Sequence, residues 1–234
     1  MRVLTLVFLS LVIFTSDAFA KDILIFGATR NTGLETAKIL VARGDNVTAF
    51  VRENSDLDAL QALGVPLVYG DALDADSVKA AFAGQAFDAV VTTLGGGVRN
   101  TEVDSIGNGN VFAAAEKAGV KRLVMVTAIG AGGTENVLQE GARNFLKPSL
   151  DAKTIAENAL KVSGLEWTIL RPGQLPDGPA TGNGLLSEDH TTMGRISRSE
   201  LAALIVKCLD DPATVGKIYH AVDADMMGSF SSFD

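Results

Sequence analysis

From Asp22 onward, short apolar runs alternate with segments whose apolar residues recur every three or four positions. The runs "DILIF", "NVTAFV", "VPLVYGD", "FDAVVTTLG", "KRLVMVTA", "EWTILRPG" and "GKIYHAV" predict strands. Between them, "TGLETAKILVARG", "LDALQALG", "DSVKAAFAG", "DSIGNGNVFAAAEKAG", "LDAKTIAENALKVSG" and "SRSELAALIVKCLDD" predict helices. Leu34, Ala37, Leu40 and Val41 share one face of the first helix, which Gly44 ends, as Gly119 ends the fourth. The central strands are apolar throughout rather than alternating, as expected where helices cover both faces of a sheet. Regular alternation of this kind predicts one α/β domain over residues 21–234, a doubly wound parallel sheet with helices on both faces.

Two stretches interrupt the rhythm, "IGAGGTENVLQEGARNFLKP" (129–148) and "PGQLPDGPATGNGLLSEDHTTMG" (172–194). Each follows the C-terminal end of a strand, the edge at which open α/β sheets bind ligands. Loops of this length are mostly functional or disordered, and both are read as walls or lid of a substrate pocket.

The first twenty residues carry a different pattern. Arg2 precedes an almost unbroken apolar run from Val3 to Phe14, followed by the small-x-small ending Ala18-Phe19-Ala20. This is the layout of a secretory signal peptide at 1–20, with cleavage before Lys21 and export of the mature chain. The run is short against the roughly 20 apolar residues a spanning helix needs. The alternatives are an uncleaved membrane anchor, an organelle-targeting element or an additional buried helix.

Composition narrows the chemistry. With 47% hydrophobic residues in 234, the chain can bury one sizeable core. Lys and Arg total 20 against 28 Asp and Glu, a net charge of −8, which disfavours binding to nucleic-acid phosphates. Cys208, the only cysteine, lies in the apolar run "LAALIVKCL" and reads as a small buried hydrophobe. His190 and His220 stand apart in sequence without a Cys or His cluster, so no metal site is expected. Composition leaves the oligomeric state open.

The strongest chemical signal is "GATRNTG", directly after the first strand. Gly27 suits a tight exit from the strand, and Gly33 suits close packing of the following helix on the sheet. Thr32 with Glu35 reads as a capping box that starts the helix just after the turn. Free N–H groups and the positive end of the helix dipole would then form a pyrophosphate site. Strand two ends "AFVREN", with Arg52 where an NAD-selective site carries Asp or Glu. A guanidinium matches a 2′-phosphate, and Arg30 would project from the turn toward the same ribose. The pair favours NADPH over NADH. Glu53 could compete with it, and solvated surface arginines are the plainer alternative.

Taken in order, "GATRNTG", "YGDALD", "VTTLGG", "AGVKRLVMVTAIGAG", "AENALKVSGLEWTILRPG" and "ISRSELAALIV" resemble an atypical short-chain dehydrogenase/reductase. The similarity is to the NAD(P)H-binding, NmrA-like group, near the biliverdin reductase B and flavin reductase type, over about Asp22 to Val222. The resemblance implies a Rossmann-like domain that binds NADP(H) and acts on a small-molecule acceptor. It implies that Gly27, Thr29, Arg30, Asn31, Thr32 and Gly33 line the phosphates and that Asp71 and Ala72 meet the adenine. Thr92, Thr93, Leu94 and Gly95 would run beside the ribose and nicotinamide, with Pro172 under the nicotinamide end. Thr127 stands where relatives carry a serine, and Lys153 matches the lysine that binds the nicotinamide ribose.

One departure matters. The wider superfamily uses a Tyr-x-x-x-Lys pair, but Ser149 lies four residues before Lys153. A serine hydroxyl is a far weaker acid than a phenol of pKa about 10. The resemblance then points to hydride transfer to a conjugated acceptor such as a flavin, quinone or tetrapyrrole, with Thr127 and Lys153 orienting it. The alternative is a non-catalytic NADP(H)-binding redox sensor or assembly factor.

Overall fold

The computed structural model describes residues 20–228, so the signal-peptide reading of 1–20 lies almost wholly outside the described residues. Eight strands form one sheet: β1 (Asp22–Phe26), β2 (Asn46–Val51), β3 (Leu67–Tyr69), β4 (Ala89–Thr92), β5 (Arg122–Val126), β6 (Glu166–Pro172), β7 (Gly184–Ser187) and β8 (Lys217–Asp223). Their order is β3-β2-β1-β4-β5-β6-β8-β7, and every pairing is parallel except β7 with β8. The helices are α1 (Asn31–Arg43), α2 (Asp58–Ala62), α3 (Ala75–Ala80), α4 (Asn108–Lys117), α5 (Glu140–Lys161) and α6 (Arg198–Asp210).

Strand β1 shows why the apolar runs are continuous. Its Ile23 and Ile25 pack with Leu40 of α1 and Leu201 and Ile205 of α6 on one face of the sheet. Leu24 and Phe26, pointing the other way, pack with Val78 of α3, Phe112 of α4 and Leu160 of α5. Successive side chains of a strand point to opposite faces, so a strand covered on both sides must be apolar at every position. Burying each such side chain contributes about 2–3 kcal/mol. Helix α1 ends as its sequence indicates, with Gly44 left-handed at φ 95° and its N–H returned to the last turn.

Four elements differ from the sequence reading. The segment 129–148 is only half loop, because α5 begins at Glu140 and carries Pro148 inside it. Proline there removes one backbone bond, but the helix is anchored by its buried half (Ser149, Leu150, Ala152, Ala156, Leu160) and extends back from it. The segment 172–194 contains β7, whose four residues are held by antiparallel pairing with β8 rather than by their own pattern. The helix read from Asp104 opens as a π-helical turn at Val103–Gly107 before α4 takes over. Finally, α1 starts two residues earlier than the capping pair implies, with Arg30 rather than Thr32 at its N-cap.

Strand β1 pairs with β2 on one side and β4 on the other, so the chain reverses direction across the sheet between β1 and β4. Loops leaving these two strands diverge to opposite faces and open a crevice at their C-terminal ends.

Candidate functional site

The crevice is floored by the turn after β1. Gly27 has φ 89°, and a Cβ there would stand 2.6 Å from Thr93 Oγ1. A Cβ at Gly33 would stand 2.1 Å from the Gly27 carbonyl oxygen. Neither glycine tolerates a side chain, because turn, helix start and β4 exit are in direct contact. Thr93 closes that contact by donating to the carbonyls of Phe26 (3.3 Å) and Gly27 (3.2 Å). Asn31, at φ 54°, is the one non-glycine residue in the left-handed region among the described residues. Asparagine is one of the few residues that enters this region at low cost.

The capping box does not form. Thr32 is buried within the first turn of α1, where its carbonyl accepts from Thr36 Oγ1 at 2.8 Å. Glu35 instead pairs with Lys38 at 2.8 Å. Arg30, at the N-cap, makes no side-chain cap bond and α1 has no acid in its first turn. The N–H groups and the positive end of the helix therefore remain available to an anion, which suits a pyrophosphate better than a capped start would.

From this turn a cleft of about 470 Å³ runs along the sheet edge. It gathers Gly27, Thr29, Arg30, Asn31, Thr32, Gly33, Arg52, Asp71, Ala72, Thr93, Leu94, Gly95, Thr127 and Lys153 from six separate parts of the chain. Arg52, Asp71 and Ala72, which follow β2 and β3, stand at one end of it with Arg30 next to them after β1, and neither arginine pairs with a carboxylate among the described residues. Glu53 does not line this cleft, but shares an adjoining open depression with Arg52, Asp71 and Asp74. Asp71 and Ala72 are fixed by local bonds: the Asp71 carboxylate accepts from Leu73 N (2.9 Å), and the Ala72 carbonyl accepts from Asn110 Nδ2 (2.9 Å).

Two expected residues stand elsewhere. Thr92 is fully buried and donates to Asn108 Oδ1 at 2.6 Å, because strand alternation turns it to the α4 face while Thr93 meets the cleft. Pro172 lines a separate apolar cavity of about 120 Å³. That cavity lies between Ala128 and Ile129, Val137 to Ala142, and Gly173 to Gly194, so both long excursions wall it. It begins one residue beyond Thr127, at the end of the cleft opposite the arginines.

At that end the structure adds residues the sequence reading missed. Lys153 Nζ is ion-paired with Asp104, which is fully buried and whose other oxygen accepts from Gly96 N at 2.9 Å. The π-helical turn places Asp104 there, and Asn108 Nδ2 donates to the Asp104 carbonyl at 2.9 Å. Thr92, Asn108, Asp104 and Lys153 thus form one bonded chain behind the loop Leu94–Gly96. A second buried group, Glu157 with Arg171, lies behind Thr127. The sequence does carry a signal for this pair: Glu157 shares the inward face of α5 with Leu160, and Arg171 follows the apolar pair Ile169-Leu170 within a strand. Arg198, also missed, lines the cleft from the start of α6 and pairs with Asp177 at 2.7 Å.

Elsewhere, burial pushes the Cys208 thiol up to about 11, which fits a packing role rather than a nucleophile. Ser149, in the position of the missing tyrosine, is buried and does not line the cleft.

Comparison with known proteins agrees with this geometry. A family model described as NAD(P)H-binding matches residues 27–212. The chain is 30% identical over 209 residues to the uncharacterized sugar epimerase YhfK of Bacillus subtilis, covering 87% of this chain and 94% of that one. It is 30% identical over 154 residues to an NAD(P)H azoreductase of Xenophilus azovorans, covering 64% of this chain and 47% of that one. Among solved structures it resembles ChuY, titled an anaerobilin reductase, of Escherichia coli O157:H7. That likeness has a TM-score of 0.79 at 32% identity and covers 89% of this chain and 100% of the other. A glycine turn closed on bare backbone, an uncapped helix start and a cleft at the strand-order reversal are what a dinucleotide requires, and the chain belongs to the NAD(P)H-binding family.

Proposed function

We propose that the chain is an NADPH-dependent reductase of a small conjugated acceptor of the flavin, quinone or tetrapyrrole type. The observation that carries this reading is the polarity of one continuous edge. An anion-binding turn flanked by two unpaired arginines occupies one end, and an apolar cavity adjoins the other. Bound NADPH would supply the hydride.

The chain's own residues have assignable tasks. Gly27, Gly33 and the first N–H groups of α1 would hold the pyrophosphate, Arg30 and Arg52 the 2′-phosphate, and Asp71 and Ala72 the adenine edge. Lys153, held by Asp104, would meet the nicotinamide ribose. Thr127 would meet the nicotinamide end, and the cavity at Ile129, Leu138 and Pro172 would receive a flat apolar acceptor and exclude water from it. With serine in place of the tyrosine, no phenol is at hand to protonate an isolated carbonyl. A conjugated acceptor suits such a site because its negative charge delocalises and solvent can protonate it. The reductase names of ChuY and the azoreductase support this reading.

The missing tyrosine also favours a second reading, an NADP(H)-binding sensor without turnover. Fluorescence titration with NADPH and NADH, followed by an acceptor screen of flavins, quinones and tetrapyrroles, separates the two. NADPH oxidation with one acceptor class establishes the reductase, and tight binding without turnover on the whole screen establishes the sensor. Failure to bind either nucleotide overturns both.

We also propose export, with cleavage before Lys21. N-terminal sequencing of the processed protein should read Lys-Asp-Ile-Leu. An intact N-terminus on membrane-bound protein would identify an anchor instead.

A further inference from the structure

Thr127 lies at the cleft end nearest the apolar cavity, and the direction of its hydroxyl proton is fixed by what stands behind it. Its Oγ1 is 2.8 Å from Glu157 Oε1. The same carboxylate receives Arg171 Nε on Oε1 at 2.9 Å and Arg171 Nη2 on Oε2 at 2.5 Å. A carboxylate gripped this way by a guanidinium has no proton to give, so in the contact with Thr127 the hydroxyl must be the donor. A threonine hydroxyl has one hydrogen and two lone pairs. With the hydrogen committed to Glu157, only lone pairs remain for the cleft.

The arrangement is built into the fold. Glu157 is fully buried and Arg171 is 2% exposed. The loop after β5 is shaped around them: a Cβ at Gly132 would stand 1.8 Å from Arg171 Nη2 and 2.6 Å from Glu157 Oε2. Gly132 also has φ 64°, where a side chain would be strained. Releasing the Thr127 proton toward the cleft would leave the buried Glu157 Oε1 with Arg171 Nε as its one remaining donor, which is unfavourable.

We propose that Thr127 faces the cleft only as a hydrogen-bond acceptor and so selects a ligand that places an N–H against it, with Glu157 and Arg171 as positioning residues. This rests on the cofactor reading above. Thr127 then orients its ligand by accepting a hydrogen bond and cannot serve as the proton donor to the acceptor. The N–H could belong to the nicotinamide carboxamide or to the reducible acceptor.

Paired ligands distinguish the sources. The first pair is NADP+ and its 3-acetylpyridine analogue, in which a methyl replaces the carboxamide NH2. The second is lumiflavin and N3-methyllumiflavin, compared by KM as acceptors with NADPH. The purified protein should prefer the N–H member of one pair by roughly five- to tenfold. Preference in the first pair assigns the contact to the cofactor, and in the second to the acceptor. Thr127→Ser should keep the preference, and Thr127→Val, with unchanged circular dichroism, should bring the two ligands within about twofold. The wild-type comparison stands even if the valine variant does not fold. NADP+ binding with no preference in either pair, or a preference that survives in folded Thr127→Val, overturns this proposal alone. Absence of NADP+ binding overturns the cofactor reading and this proposal with it.

Discussion

Arg52 and Arg30 are single residues whose chemistry is legible in the sequence itself, since each stands at a position defined by counting from a strand end. The fold brings both to one cleft, where neither forms an ion pair with a carboxylate among the described residues. Charge-assisted hydrogen bonds to a phosphate are worth about 1.5–3 kcal/mol each. Arg52→Ala and Arg30→Ala should therefore each weaken NADPH binding by roughly tenfold or more and leave NADH within about twofold, measured by fluorescence titration. Equal losses for both cofactors would remove the 2′-phosphate argument. Thr32 teaches the opposite lesson. The pair Thr32–Glu35 has capping-box spacing, yet the close fit of Gly33 on Gly27 pulls Thr32 into the helix. Spacing along the chain carries no information about that tertiary contact.

At the scale of elements, the π-helical turn before α4 and the edge pair β7–β8 make separate predictions. The turn seats Asp104, whose pairing with Lys153 is buried on the acid's side. Asp104→Asn keeps the shape and removes the charge, which should cost about 3 kcal/mol in urea unfolding. It should also raise the KM for NADPH more than it lowers kcat, because its effect passes through Lys153 and Gly96. A variant destabilised with unchanged KM would make Asp104 purely structural. On β8, His220 is fully buried, donates from Nδ1 to the Thr192 carbonyl (2.9 Å) and stacks on His190 at 5.0 Å. Its imidazole is held below the ordinary 6.5 chiefly by burial, with the Thr192 carbonyl and Asp189 opposing the shift and His190 and Arg171 adding to it. Below pH 6.5 the unfolded chain then binds a proton that the folded chain does not. Stability should accordingly fall as pH drops from about 6.5 toward the folded-state value. Thermal melts from about pH 7.5 to about pH 5 should show a shallower slope for His220→Gln than for wild type, and an identical slope would refute the assignment.

For the whole molecule, the cleft is lined by chain segments from the turn after β1 to the start of α6, so a ligand spanning it links their stabilities. NADPH at roughly a hundred times its Kd should add about 2.7 kcal/mol to unfolding, visible as a raised Tm, and Arg52→Ala should shift the ligand concentration needed. A Tm indifferent to NADPH would contradict the cofactor reading. The class of architecture is settled along the chain, because two-sided burial forces continuous apolar strands and one-sided burial forces helical periodicity. The glycine turn is settled there too, since a missing side chain at Gly27 and Gly33 is itself the signal. Strand β7 is not, since a four-residue edge strand is stabilised by its partner β8, nor is the start of α5, since Pro148 reads as a break when taken alone. Tertiary packing alone brought Asp104 to Lys153 and set Glu157 and Arg171 behind Thr127. Those residues lie 14 to 49 positions apart. Local pattern is fixed by the solvent each face meets, whereas a pairing between distant polar groups is fixed by how the elements dock, and it is the docking that decides which way the Thr127 proton points.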